Sequence, residues 1–396
     1  MKNFVETIVE YFAKGKRFLV RKVRWLAAVD GKEIWLGWQS CRTFQRMTIT
    51  DRMVLMVEPN AFHAEILPGF VGYFNQLGYK TVLLCRKVNV ESGVFCRVPE
   101  NLRPIMLPMN PAAMRRCLKT EWTKRFEIFF LTSNIIGMTG GFWGLFFDYL
   151  GFNPKTGRGF LLVEHNYRFI EASILNRRFN PKHVFHLSGI VNENCYLQML
   201  NPHYFGKVNV PRLNPERVVF ISVGSQNRRF EELIAAVRFL ENSGCHNFVV
   251  KVVGYNIGAN VFEECSQRVE VLGCLTFSKM FNEVEKAHFF LPLLNPLNEQ
   301  HKPYLQDVTS GARQLILGFF KVPIIHERFA EVYRFTKNQA ELHSDSNLGK
   351  AMLNALQMDP EIYAQKVLAL KNLGEKINSE SLANLKLAIS ELPENN

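Results

Sequence analysis

Long uncharged apolar runs are missing from this chain of 396 residues; the nearest, residues 141–150, falls well short of the roughly 20 residues a bilayer-crossing helix needs. The expectation is a chain that is soluble or held at a membrane surface, not threaded through one. Cysteines at C-x-x-C spacing are missing too. All eight lie singly, without a paired Cys/His cluster, and read as reduced core residues of a cytoplasmic protein. Glu6 and Glu10 stand where a secretory leader would be uncharged and greasy, so export is not expected. No motif recurs at a solenoid period, which argues against repeat arrays.

What is present is apolar material and positive charge. At 47% hydrophobic residues the chain can bury two cores, and its length exceeds what one ordinary core holds. The net charge of +12 is concentrated at the front, in Lys14, Lys16, Arg17, Arg21, Lys22, Arg24, Lys32, Arg42 and Arg46. Phe4, Val5, Ile8, Phe12, Phe18, Leu19, Val23, Trp25 and Leu26 interleave with them near helical spacing. Residues 1–52 therefore read as a basic amphipathic segment that packs on the protein's own core or meets an anionic membrane surface, with nucleic acid a less fitting partner.

Behind that head, residues 53–57 form an apolar run, a polar loop carries His63 and Glu65, residues 66–77 have helical spacing, Gly78 stops them and residues 81–85 supply a second strand. This is a βαβ unit of a parallel sheet. Residues 126–131, 159–163 and 184–187 are further strands; the second ends in Glu164, His165 and Asn166, and sites in such sheets lie at the carboxyl ends of the strands. The aromatic stretch 140–147 reads as core or as a loop facing a second substrate. Proline-rich residues 201–215 read as a linker, after which the pattern repeats with strands at 218–223, 248–253, 269–272 and 288–293.

Two stretches of the second half carry chemistry. Residues 224–229, Gly-Ser-Gln-Asn-Arg-Arg, place a glycine turn and two guanidinium forks after the first strand, where cations oppose the helix dipole unless an anion joins them. In residues 306–331, Thr309, Ser310 and Gly311 open an apolar helix whose free N–H groups face any anion before it, and a short strand follows at 322–325.

V-V-F-I-S-V-G-S-Q-N-R-R-F at 218–230, V-E-V-L-G-C-L-T-F-S-K-M at 269–280 and T-S-G-A-R-Q-L-I-L-G-F-F-K-V-P-I-I at 309–325 together resemble the donor domain of GT-B glycosyltransferases, of the nucleotide-sugar-dependent kind that builds bacterial surface polysaccharide or lipopolysaccharide. The first half resembles that family in architecture only. The resemblance implies two Rossmann-like α/β domains facing across a cleft. The chain then divides into a basic segment at 1–50, an acceptor-side domain at 51–210, a nucleotide-sugar domain at 211–370 and a terminal helix at 371–396. It implies that Gly224, Ser225, Arg228, Arg229, Thr309, Ser310, Gly311 and Gln314 meet the donor phosphates, with Leu275 and Thr276 near the base. Gln314 stands nearest to where the large retaining subgroup carries a glutamate.

On the acceptor side, His63 is the expected general base, since an imidazole titrates near neutrality, with Glu65 orienting or replacing it. Glu164, His165 and Asn166 are the reserve set. No D-x-D occurs in the chain, so no metal and no cofactor is expected, and arginines with a helix N-terminus would offset the leaving diphosphate. The reading is a transferase moving a sugar from a nucleotide-sugar to a hydroxyl of a glycolipid or polysaccharide, in the cytoplasm and peripheral on the inner membrane face. A nucleotide-sugar epimerase of the same fold and a non-catalytic basic α/β binding protein remain alternatives.

Overall fold

The computed structural model describes residues 31–61, 63–118, 126–134, 160–165, 181–188, 198–224, 228, 230–255, 257–306, 308–345 and 347–392. A helix α1 (Gly31–Arg46) precedes β1 (Met53–Glu58), α2 (Leu67–Gln76), β2 (Lys80–Cys85), β3 (Ile105–Pro108), α3 (Pro111–Leu118), β4 (Ile128–Asn134), β5 (Phe160–Glu164), β6 (Val184–His186) and β7 (Gln198–Met199). These strands form one sheet in the order β3-β2-β1-β4-β5-β6-β7, with every pairing parallel. β1 is buried along its whole length, as its unbroken run Met-Val-Leu-Met-Val requires of a strand covered on both faces.

The second half contains β8 (Val218–Val223), α4 (Phe230–Asn242), β9 (Phe248–Val253), β10 (Val269–Gly273), α5 (Phe277–Lys286), β11 (Phe289–Phe290), α6 (Gly311–Phe319), β12 (Val322–His326), α7 (Glu327–Tyr333), β13 (Glu341–His343), α8 (Leu348–Leu356) and α9 (Pro360–Ser390). Its parallel sheet has the order β10-β9-β8-β11-β12-β13, the doubly wound arrangement whose strand order reverses beside the first strand. The chain thus forms two Rossmann-like domains. The strand expected at 288–293 pairs only over Phe289 and Phe290, because the chain then bends and Leu293 takes a left-handed conformation at φ 50°. No helix among the described residues is long and apolar enough to cross a membrane.

The domains share an apolar seam. Phe205 of the 201–215 connection packs 5.2 Å from both Phe281 of α5 and Phe319 of α6, and α6 runs so close to the connection that a Cβ on Gly318 would stand 2.2 Å from the His203 carbonyl oxygen. At the rim, Arg97 of the first domain grips Glu285 of α5 through two bonds of 2.7 Å and donates to Asn282 Oδ1 at 2.9 Å. The hydrogen bond from Arg97 holds the Glu285 carboxyl below the usual carboxylate range. The long helix α9 then crosses back: Asn201 N–H donates to Ser381 Oγ at 3.0 Å and Asn384 Nδ2 to the Met199 carbonyl at 2.9 Å. Arg97→Ala strips Glu285 of its cation and is expected to lower unfolding free energy by about 1–3 kcal/mol, read as a lower urea midpoint with a single transition.

Candidate functional site

Both sheets reverse their strand order at one crevice each, and each crevice holds polar residues. In the first domain the crevice lies between β1 and β4. Glu58, the last residue of β1, is fully buried there: its Oε1 accepts from the Asn60 N–H at 2.7 Å and from Ser133 Oγ at 2.9 Å, and its Oε2 lies 2.8 Å from Thr132 Oγ1. Thr132 Oγ1 is also 3.0 Å from the Val57 carbonyl, which can only accept. Burial raises the Glu58 carboxyl from 4.5 to about 7, against the opposing pull of its hydrogen bonds from Asn60, Thr132 and Ser133.

This network pins the loop that follows. Asn60 Nδ2 bonds Ser133 Oγ, and Asn89 Nδ2 donates to the Asn60 carbonyl at 2.8 Å. His63 emerges from the loop in a left-handed conformation at φ 67°, a strained state for a residue with a side chain and one that clusters at functional positions. Its side chain is 44% exposed, with Nδ1 3.7 Å from Glu65 Oε1. Partial burial of the ring works to lower its pKa, but the carboxylates of Glu65 and Glu58 outweigh that and hold it above the ordinary value. The opposite face of the imidazole rests on His165, ring centroids 4.8 Å apart. His165 Nε2 lies 3.2 Å from the Thr132 carbonyl and must donate to it; burial holds this ring neutral, near 3. Glu164, the last residue of β5, is completely buried. Asn166 lies outside the described residues.

In the second domain the crevice lies between β8 and β11, and two glycines shape it. A Cβ on Gly254 would stand 1.7 Å from the Gly224 carbonyl oxygen, and one on Gly224 would stand 2.2 Å from Arg228 Nε. Only bare backbone at both lets the strand ends close up and the Arg228 side chain fold across them. It reaches Ser310, with Nη2 3.5 Å from Oγ. Ser310 is the N-cap of α6 and accepts from the Ala312 N–H at 3.3 Å. Around that terminus the Thr309 hydroxyl and both ends of the Gln314 side-chain amide are buried without a hydrogen-bond partner, and the buried Tyr333 hydroxyl faces Ser310. Burial lowers the Arg228 guanidinium and pushes the Tyr333 phenol up to about 12.

Of the residues expected to bind an anion, Gly224, Arg228, Thr309, Ser310, Gly311 and Gln314 gather at this crevice. Ser225 and Arg229 lie outside the described residues, as does the aromatic stretch 140–147. Leu275 is half buried, and Thr276 is the exposed N-cap of α5, whose first amide, Phe277 N–H, donates to the Ser92 carbonyl of the other domain at 3.0 Å. No group of three or more His, Cys, Asp and Glu among the described residues is arranged to hold a metal ion.

The two crevices meet at Glu65. Its carboxylate, 3.7 Å from His63, also lies across the interface from the first residue of α6, 3.4 Å from where a Cβ on Gly311 would be. The imidazole of one domain and the helix N-terminus of the other are therefore joined by one side chain. Sequence reasoning passed over Glu58, because a glutamate ending an apolar strand looks like a surface terminator, and Tyr333, which reaches the crevice from a different element.

Comparison with solved structures bears on the fold. A glycosyltransferase from Rickettsia africae ESF-5 superposes with a TM-score of 0.56 at 11% identity, covering 87% of this chain and all of its own. An alpha-glucosyltransferase in complex with UDP and a 13-mer DNA containing a central A:G mismatch gives 0.53 at 13% identity, with 84% of this chain and 94% of that chain covered. S. aureus MnaA solved with UDP gives 0.50 at 12%, over 87% and 99%. The fold is the GT-B architecture. No protein-family model matches the sequence, and no curated relative matches it.

Glu58→Gln replaces a proton-bearing carboxyl with a neutral amide of the same shape. A carboxyl raised in the folded state stabilises below its unfolded value of 4.5, and that contribution is lost as pH climbs through about 7. The variant is expected to match the parent at pH 4.5 and to exceed it above neutrality by up to about 3 kcal/mol, measured by urea melts across pH.

Proposed function

We propose that this chain is a glycosyltransferase that moves a sugar from a nucleotide-sugar to a hydroxyl of a glycolipid or polysaccharide, without a metal ion, at the cytoplasmic face of a membrane. The observation that carries the reading is the double contact of Glu65, which sets the base candidate His63 beside the anion-binding end of α6. A sugar whose diphosphate rests on that helix end would have its anomeric carbon in the cleft next to the imidazole.

The chemistry follows from those positions. His63 Nδ1 faces Glu65, which leaves Nε2 as the basic nitrogen. As the acceptor oxygen bonds to the anomeric carbon, its proton passes to Nε2, and the carbon–oxygen bond to the diphosphate breaks. Negative charge then grows on the leaving group. Arg228, the α6 dipole and the amide hydrogens near Ser310 are aimed at it, and the unpaired hydroxyl of Thr309 supplies a further donor. Buried polar atoms without partners cost stability until a ligand meets them, so the crevice is suited to a ligand rich in oxygen acceptors. The neutral His165 backs the His63 ring and carries no competing charge. Two of the structural neighbours were solved with UDP, which makes a uridine nucleotide the first donor to try.

Binding and chemistry give separate tests. UDP is expected to raise the melting temperature, and Arg228→Ala to weaken its binding about tenfold or more, since a charge-assisted contact is lost. An absence of stabilisation by any nucleoside diphosphate would sink the donor site. Formation of an epimer in place of a transferred sugar would sink transfer.

The base must be neutral to work, so transfer by the parent is expected to rise with pH through a midpoint above 6.5, because His63 is held above that value. Glu65→Gln removes the anion that stabilises the imidazolium and moves that midpoint down. The same change relieves repulsion at the helix end and tightens UDP. A pH–rate profile together with a UDP titration reads both effects.

A further inference from the structure

The face of α1 turned away from the protein carries two tryptophans. Trp35 is 58% and Trp38 47% exposed, and Arg42 and Arg46 follow on the same side of the helix. Arg42 lies over the Trp38 ring, 3.7 Å from its centroid. Large exposed aromatics in adjacent helical turns are unusual on a surface that meets only water.

The helix cannot roll to hide them. Its other face is fixed by Phe44, fully buried and stacked on Phe126 at 5.8 Å, and by Gly37, which sits so tightly on α3 that a Cβ there would be 3.0 Å from Ala113. The tryptophans are held outward by the packing of everything opposite them.

We infer that this stripe is an interfacial anchor that seats the first domain on a bilayer containing anionic lipid. An indole is apolar over its rings and donates from one N–H, a combination suited to the depth where headgroups meet acyl chains. The charge along the helix has the matching sign: residues 34–46 hold Arg42 and Arg46 and no acid at all. The stripe spans about three turns of one helix, too small for a lasting protein interface of roughly 800 Å² per partner, whereas interfacial insertion needs only a few aromatic anchors with basic neighbours. The inference is independent of the transfer chemistry, and the donor crevice is built from other elements.

The test is co-sedimentation of the full chain with vesicles of phosphatidylcholine alone and with about 30% phosphatidylglycerol, alongside a duplex DNA titration and sedimentation velocity. The parent is expected to bind the anionic vesicles and to lose that binding in high salt. The double variant Trp35→Ala, Trp38→Ala is expected to partition about tenfold less while keeping its melting curve and its response to UDP. Equal partitioning of the variant and the parent overturns the inference, as does a parent that binds no vesicle. Loss of DNA binding in place of lipid binding assigns the stripe to nucleic acid and overturns it too. A parental dimer that the variant dissociates assigns the stripe to a second copy, with the same consequence.

Discussion

The closeness of α6 to the connection between the domains governs the rest of the molecule. At Gly318 the helix backbone comes within side-chain distance of the His203 carbonyl, and Phe205, Phe281 and Phe319 close around that point in one apolar cluster. Interiors pack at near-crystalline density, so such a contact has one geometry and not a range. Because α6 begins at the second domain's crevice and ends in the seam, fixing its C-terminal end also fixes its N-terminus relative to the other sheet. Glu65 meets Gly311 as a result. Arg97 and α9 hold the same arrangement from the rim and from behind.

Much of this was legible locally. The Ser310 cap, the glycine turn at 224 and the strand-to-loop position of His63 each depend on a few neighbouring residues, and the helix at 311–319 and the strands at 53–58 and 218–223 came out close to their expected bounds. β3 and β13 escaped notice because strands of four and three residues are too short to carry a period-two signal, and they exist through pairing with β2 and β12. Glu58 escaped for a different reason. Its neighbours in sequence are apolar or loop-forming, and only the arrival of Thr132 and Ser133 from β4 turns it into a buried carboxyl within a hydrogen-bond network. Trp35 and Trp38 belonged to a segment whose amphipathic spacing was readable, but which of its apolar residues face inward is decided by Gly37 and Phe44.

The two crevices are electrostatically unlike, and the difference is useful. On one side, a cation, a helix dipole and the unpaired Thr309 hydroxyl accumulate. On the other, an imidazole is flanked by a neutral histidine and two carboxyl groups of different character, one fully buried and protonated up to about 7, the other partly exposed. Had Glu58 been ionised at lower pH, its charge would have held His63 more firmly as the imidazolium, the wrong form for a base. Burying that carboxyl lets it brace the loop through hydrogen bonds while adding little negative charge beside the imidazole below neutrality.

Glu65 is then an anion shared by both sides, and it faces a conflict that an incoming diphosphate would resolve. The carboxylate gains from the α6 dipole and from His63 together. On the proposed reading, a diphosphate on α6 would bring more charge to the same helix end and drive the carboxylate toward the imidazole, where it would favour the Nδ1–H tautomer and leave Nε2 free to accept. Such a coupling would need no movement of either sheet, only a side-chain rotation within a seam that holds the backbones still.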